Sequence, residues 1–170
     1  MKLLFENWRG FLKEIGDASV PPYDFEEPEE MSDWDVIYDF YASDEFGEIP
    51  YVVSFERNPR NERDPWEIGY QIGKGEAGDL TDQRQPLKIM STVVAIIKDF
   101  INNRPALNDG TRGYRFKGVS KKGESSRKTT QRTKLYLSFL EKHLPDDWEY
   151  SIKGKAGNNI FFGPKNEEVE

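Results

Sequence analysis

Apolar residues recur along this chain at two spacings. Trp66, Ile68, Tyr70 and Ile72 alternate with Glu67, Gly69 and Gln71, the period-two pattern of a strand with one buried face. Trp34, Val36, Tyr38 and Phe40 alternate with Asp35 and Asp39 in the same way, and Tyr51 to Phe55 reads as a short strand between them. The polar connections, residues 44–48 and the two-proline stretch 58–65, are short enough to predict an antiparallel meander. Tyr114 with Phe116, Trp148 with Tyr150 and Ile152, and Ile160 with Phe162 predict three further strands. The last two are joined by the turn-forming residues 156–159.

The second spacing is helical. Met90, Val93, Val94, Ile97, Phe100 and Ile101 recur at three and four, with Ile89 and Ile96 beside them. Pro86 suits the first turn of such a helix, and residues 102–105 (Asn-Asn-Arg-Pro) end it. Residues 129–143 predict another helix with Thr133, Leu137, Leu140 and Leu144 on one side and Leu135, Tyr136 and Phe139 adjoining. At the start, Leu4, Trp8, Phe11, Leu12 and Ile15 share one face of an amphipathic helix stopped by Gly16.

These elements predict an α+β fold with a mixed, mostly antiparallel sheet in two or three layers and the order α-βββ-α-β-α-ββ. The expected organisation is a helical arm over 1–15, a Pro-rich acidic linker over 16–32, a domain over 33–164 and an acidic tail over 165–170. The strand–helix–strand passage from 66 to 116 predicts a right-handed crossover between parallel strands.

Composition removes several chemistries. The 170 residues include no cysteine and a single histidine, His143. Disulfides, thiol nucleophiles, thiolate metal sites and multi-histidine metal sites are thereby excluded. No metal site and no cofactor are expected. His143, at a helix end, reads as a partner for terminal carbonyls and the helix dipole. The opening residues turn charged too soon for a secretory segment, and no apolar run is long enough to span a bilayer. The expected location is cytoplasmic, away from membranes.

Charge is unevenly spread. The net charge is −7, yet residues 1–50 carry −11 and residues 112–134 carry +8, with Glu124 the one acid in that basic stretch. Lys121, Lys122, Arg127, Lys128, Arg132 and Lys134 surround a hydroxyl-rich helix start, where free N–H groups and the dipole favour an anion. The stretch reads as a site for an acidic protein surface, with a phosphate-rich ligand or nucleic acid as an alternative. The acidic and basic parts can equally neutralise each other, within one molecule or between copies.

Other motifs are incomplete. Residues 73–78 spell G-x-G-x-x-G, but no helix opens on the third glycine, so the dinucleotide cradle is missing. Residues 118–125 approach a phosphate-binding loop, but Glu124 stands where a lysine is required. Asp33, Asp35 and Asp39 lack the glycine-bearing turn of a calcium loop.

The element order over about residues 34–163 resembles the GNAT-type N-acetyltransferase superfamily. That family binds the coenzyme A pyrophosphate through backbone N–H groups of an Arg/Gln-x-x-Gly-x-Gly/Ala loop before its central helix. The corresponding stretch here is residues 81–88. The resemblance implies acetyl-CoA as cofactor, with Gln83, Arg84 and Lys88 near its phosphates and Tyr136 protonating the departing thiolate. No glycine follows Arg84 within the motif, and Pro86 removes one N–H donor. Separately, the opening Phe5-Glu6-Asn7-Trp8-Arg9, with Phe11-Leu12, and Arg132 to Tyr136 are similar to short segments of uncharacterised bacteriophage proteins. This implies a virion or host-cytoplasm setting.

The leading expectation is a non-enzymatic interaction or structural protein. It would dock on a protein partner, or on itself, through Leu4, Trp8, Phe11, Leu12 and Ile15 and through the basic stretch. An N-acyltransferase is the alternative.

Overall fold

The computed structural model describes residues 20–44, 47–61, 63–73, 86–104, 113–117, 131–154 and 159–165. The proposed N-terminal helix lies outside the described residues. Within them the chain is an α+β fold. It runs β1 (Glu29–Ser32), β2 (Asp35–Asp44), β3 (Gly47–Glu56), β4 (Trp66–Ile72), α1 (Pro86–Asn103), β5 (Tyr114–Lys117), α2 (Gln131–His143), β6 (Trp148–Lys153) and β7 (Asn159–Pro164). The strands form one mixed sheet in the order β1-β2-β3-β4-β5-β7-β6. Only β4 and β5 pair in parallel.

Two crossovers build the second layer. One passes from β4 through α1 to β5; the other passes from β5 through α2 to β6, skipping over β7. Both run the same way along the sheet, and crossovers of one hand then lay their helices on one face. The side chains agree. Phe100 of α1 stacks on Phe55, with ring centroids 3.9 Å apart, and meets Trp66 and Tyr114 edge-on. Tyr136 of α2 stacks on Phe116 and meets Tyr70 edge-on. All five strand residues occupy inward positions of their alternation and are buried. The opposite face carries Ser54, Glu67, Arg115 and Phe161, all half-buried.

Helix α1 follows its sequence pattern. Ile89, Met90, Val93, Ile96, Ile97 and Phe100 are buried, and Pro86 begins the helix. On α2 the buried set is Thr133, Tyr136, Phe139 and Leu140, while Leu137 is half-buried and Leu144 lies just beyond the helix. The stripe is thus rotated toward the aromatic residues, because Tyr70 and Phe116 offer ring contacts to them.

The 16–32 linker requires correction. Its second half belongs to the domain. Tyr23 is buried, and its backbone N–H donates to Thr92 Oγ1 at 2.8 Å. The Thr92 hydroxyl donates in turn to the Lys88 carbonyl. Phe25 bridges to Phe40, and β1 pairs antiparallel with β2. The prolines and acids suggest a solvated tether, but the aromatic residues between them supply apolar area that the edge of the sheet can bury. Arg104, the residue after α1, closes the same region with an ion pair to Glu27 at 3.0 Å. Tyr38 donates to Asp99 at 2.8 Å, and burial together with that carboxylate pushes its phenol pKa up.

The turn before β5 depends on Gly113. Its φ is +116°, and a Cβ there would collide with the Phe162 carbonyl oxygen. Its own carbonyl accepts the Trp66 N–H at 3.0 Å, which fixes the start of the β4–β5 pairing.

Two outcomes follow from this packing. Phe100→Ala is expected to lower stability by about 3–5 kcal/mol in urea denaturation. Tyr41→Ala, at a half-exposed ring on the other face, should stay within about 0.5 kcal/mol. A second expectation concerns His143, whose pKa is lowered from 6.5 by burial and then by the charges of Lys98 and Lys142. The unfolded chain therefore takes up this proton more readily than the folded one. The contribution is complete above the usual histidine value and is lost as pH falls through that value toward the folded one. The wild type should lose more stability than His143→Gln across the mildly acidic range.

A candidate binding groove on the face opposite the two helices

Strand register brings together a set of charged residues that no local pattern groups. Asp35 of β2 lies opposite Glu56 of β3, and Glu56 lies opposite Glu67 of β4. Glu67 lies opposite Arg115 of β5, and Arg115 lies opposite Phe161 of β7. All five occupy the outward positions of their strands, so they form a row across the face opposite α1 and α2. Asp35, Glu56 and Glu67 put three carboxylates side by side on adjacent strands. Like charges placed directly opposite each other destabilise a sheet by a few tenths to about 1 kcal/mol.

Two arginines stand at the same end. Arg115 is ion-paired with Glu67, and its guanidinium lies 5.8 Å from the Phe161 ring. Arg57, one residue beyond β3, is held differently. Its guanidinium lies 4.5 Å from the Trp66 ring and 5.2 Å from the Trp34 ring. Its backbone N–H donates to the Trp34 carbonyl, which ties it to the turn between β1 and β2. Cation–π contacts and an ion pair restrict both side chains, so less rotamer freedom remains to be lost on binding.

The β3–β4 loop forms the third wall. Asn58 Oδ1 accepts the Arg60 N–H and Asn61 Oδ1 accepts the Arg63 N–H, two side-chain turns in succession. Both amide groups donate to Asp64, at 3.2 and 2.6 Å, so the carboxylate clamps the loop. Between this loop and the row lies an open groove of about 410 Å³. It is lined by Glu56, Arg57, Asn58, Asp64, Glu67 and Arg115, with Pro65 and Phe161 as its apolar parts. Two polar atoms of the row, Asp35 Oδ1 and Arg115 Nε, are buried without a hydrogen-bond partner among the described residues. Such atoms typically cost about 1–3 kcal/mol each.

The sequence singles out other residues. Leu4, Trp8, Phe11, Leu12, Ile15, Gln83, Arg84, Lys121, Lys122, Arg127 and Lys128 lie outside the described residues. Arg132 and Lys134 fall in the first turns of α2, with Lys134 exposed. Lys88 is half-buried in α1, and its Nζ sits 4.2 Å over the Tyr23 ring. Tyr136 is buried in ring contact with Phe116 and Tyr70. These two residues therefore pack into separate aromatic contacts. Conversely, sequence reasoning passed over Glu56, Arg57, Glu67 and Arg115. The available signal was a charged residue directly after the inward-facing Trp66 and Tyr114, Glu67 and Arg115, at the outward position of each strand.

Among the described residues no group of three or more His, Asp or Glu side chains could hold a metal ion. No described helix is long and apolar enough to cross a membrane. No protein-family model matches the chain, and neither a curated protein nor a solved structure does.

The row makes a thermodynamic prediction. Glu56→Gln removes the middle charge of three and should raise stability by about 0.2–1 kcal/mol in urea denaturation. The Arg115–Glu67 pair is about one-third exposed on both sides. A double-mutant cycle on it should return a coupling of about 0.2–1 kcal/mol.

Proposed function

We propose that the chain is a non-enzymatic interaction protein whose sheet face opposite α1 and α2 receives a basic protein segment. The observation that carries the reading is the row Asp35, Glu56 and Glu67. Its like charges work against the sheet that holds them, and a segment bearing lysine and arginine laid across it would offset that repulsion. Arg57 and Arg115, fixed beside the row, would set the register of such a segment by pairing with its acidic or carbonyl groups. Rule-breaking placements of this kind are characteristic of functional surfaces.

The nearest chemistry that fits is the basic stretch after β5, residues 121–134, in a second copy. Lys121, Lys122, Arg127, Lys128, Arg132 and Lys134 are then the donors. The apolar stripe Leu4, Trp8, Phe11, Leu12 and Ile15 acts as a second docking element. In a phage-encoded setting the assembly would operate in the host cytoplasm or the virion.

Sedimentation of the full chain tests this. Association is expected at low salt, weakening at high salt and after Glu56→Lys with Glu67→Lys. Removal of residues 1–15 should weaken it while leaving the melt cooperative. A monomer at low salt, or an association indifferent to the charge reversal, overturns the reading.

A second reading, an N-acyltransferase, is favoured by one feature. β4 and β5 pair in parallel, and the chain leaves the carboxyl end of β4, Ile72, toward α1. Ligands of parallel sheets sit beyond the carboxyl ends of such strands. Acetyl-CoA would lie there, with Gln83, Arg84 and Lys88 near its phosphates and Tyr136 as proton donor. Thermal unfolding with acetyl-CoA separates the two readings. At about 100 times its dissociation constant the cofactor would stabilise by about 2.7 kcal/mol. An unchanged melt at millimolar cofactor removes the acyltransferase.

A further inference from the structure

A second cavity lies on the helix face and shares no residue with the groove. It occupies about 320 Å³ between the C-terminal halves of α1 and α2 and the start of β6. Ile97 and Ile101 of α1, Phe139 and Leu140 of α2, and Leu144 and Trp148 form its apolar walls. The volume is at the small end of the range for ligand pockets. Polar groups line it on one side: Lys98 and Asn102 from α1, and His143 from α2.

The electrostatics of that rim are one-sided. Lys98 and Lys142, from different helices, both act on His143 in the direction that disfavours its protonation. Lys98, which lines the cavity, thus places a positive charge beside the imidazole and the apolar walls, with Lys142 adding to it from outside the lining. The imidazole lies against the Phe139 ring, with centroids 5.0 Å apart, and this contact orients it within the wall. A neutral imidazole keeps one N–H to donate, and the Asn102 amide has two. Apolar walls, a cationic mouth and neutral donors beside it match a molecule with a hydrocarbon tail and an anionic head.

We propose that this interhelical cavity binds a medium-chain aliphatic carboxylate, its tail among Ile101, Phe139, Leu140 and Trp148 and its head group between Lys98 and His143. The tail gains from burial in proportion to the apolar area removed from water. The head group stays at the mouth, where Lys98 is exposed and its charge needs no desolvation. This inference is independent of the groove and of either function proposed above.

The single histidine makes the test direct. The imidazole resonances of His143 in the full chain are followed by NMR while octanoate is added, with octanol as the uncharged control. Saturable displacement of the His143 resonances by octanoate is expected, with a rise in the imidazole pKa as the carboxylate arrives. Octanol should bind more weakly. Lys98→Gln, at an exposed position, should weaken octanoate by about three- to fivefold without touching the walls. Ile101→Trp fills the cavity and should abolish the response; Lys98→Gln remains informative if that variant does not fold. Resonances unmoved by millimolar octanoate overturn the proposal. So does undiminished binding in folded Ile101→Trp, or octanol binding as tightly as octanoate.

Discussion

The contact on which most of this architecture depends is the ring of Phe100. It lies flat on Phe55 of β3 and edge-on to Trp66 of β4 and Tyr114 of β5. One helical side chain therefore holds three neighbouring strands, two of which are the parallel pair joined by that same helix. Aromatic contacts add to the burial term and also restrict orientation, since offset and edge arrangements are preferred. With α1 fixed, Thr92 receives the Tyr23 N–H and Asp99 receives the Tyr38 hydroxyl, so β2 and the segment ahead of β1 are tied to the same helix.

Much of the fold was legible because its signals are local. The alternation from Trp66 to Ile72 matches β4, and the stripe behind Pro86 matches α1. The parallel relation of β4 and β5 followed from the handedness of crossovers. What escaped was set by partners distant in sequence. β1 is a short edge strand whose residues, Glu29 to Ser32, have no strand-like pattern of their own; pairing with Val36 and Ile37 makes them one. Tyr23 reads as part of a proline-rich tether until Phe40, Thr92 and Lys88 surround it.

The groove illustrates the same limit more sharply. Its strand-borne charges, Glu56, Glu67 and Arg115, come from three strands, and their adjacency is a property of register alone. A shift of one residue in any pairing would turn them to the other face. Tyr136 shows the converse. Its position on the last helix suggested chemistry, but the aromatic neighbours Tyr70 and Phe116 were equally visible in the sequence and explain its burial. Local pattern assigns a residue to a face; only the pairing of strands decides which other residues share that face.

The parallel seam has a mechanical meaning. The sheet consists of two antiparallel leaves, β1 to β4 on one side and β5, β7 and β6 on the other. Among the described residues they meet along Trp66, Ile68 and the residue between, paired with Tyr114 to Phe116, and at the Gly113 carbonyl. The β2–β3, β3–β4 and β6–β7 ladders are longer than this joint, which is slanted, and parallel pairing is slightly weaker per residue. The molecule is therefore built like a book, with α1 as the binding glued across its spine. The Phe100 ring touches both sides of that spine, so the groove, whose walls come from both covers, owes its shape to a helix packed on the opposite face of the sheet.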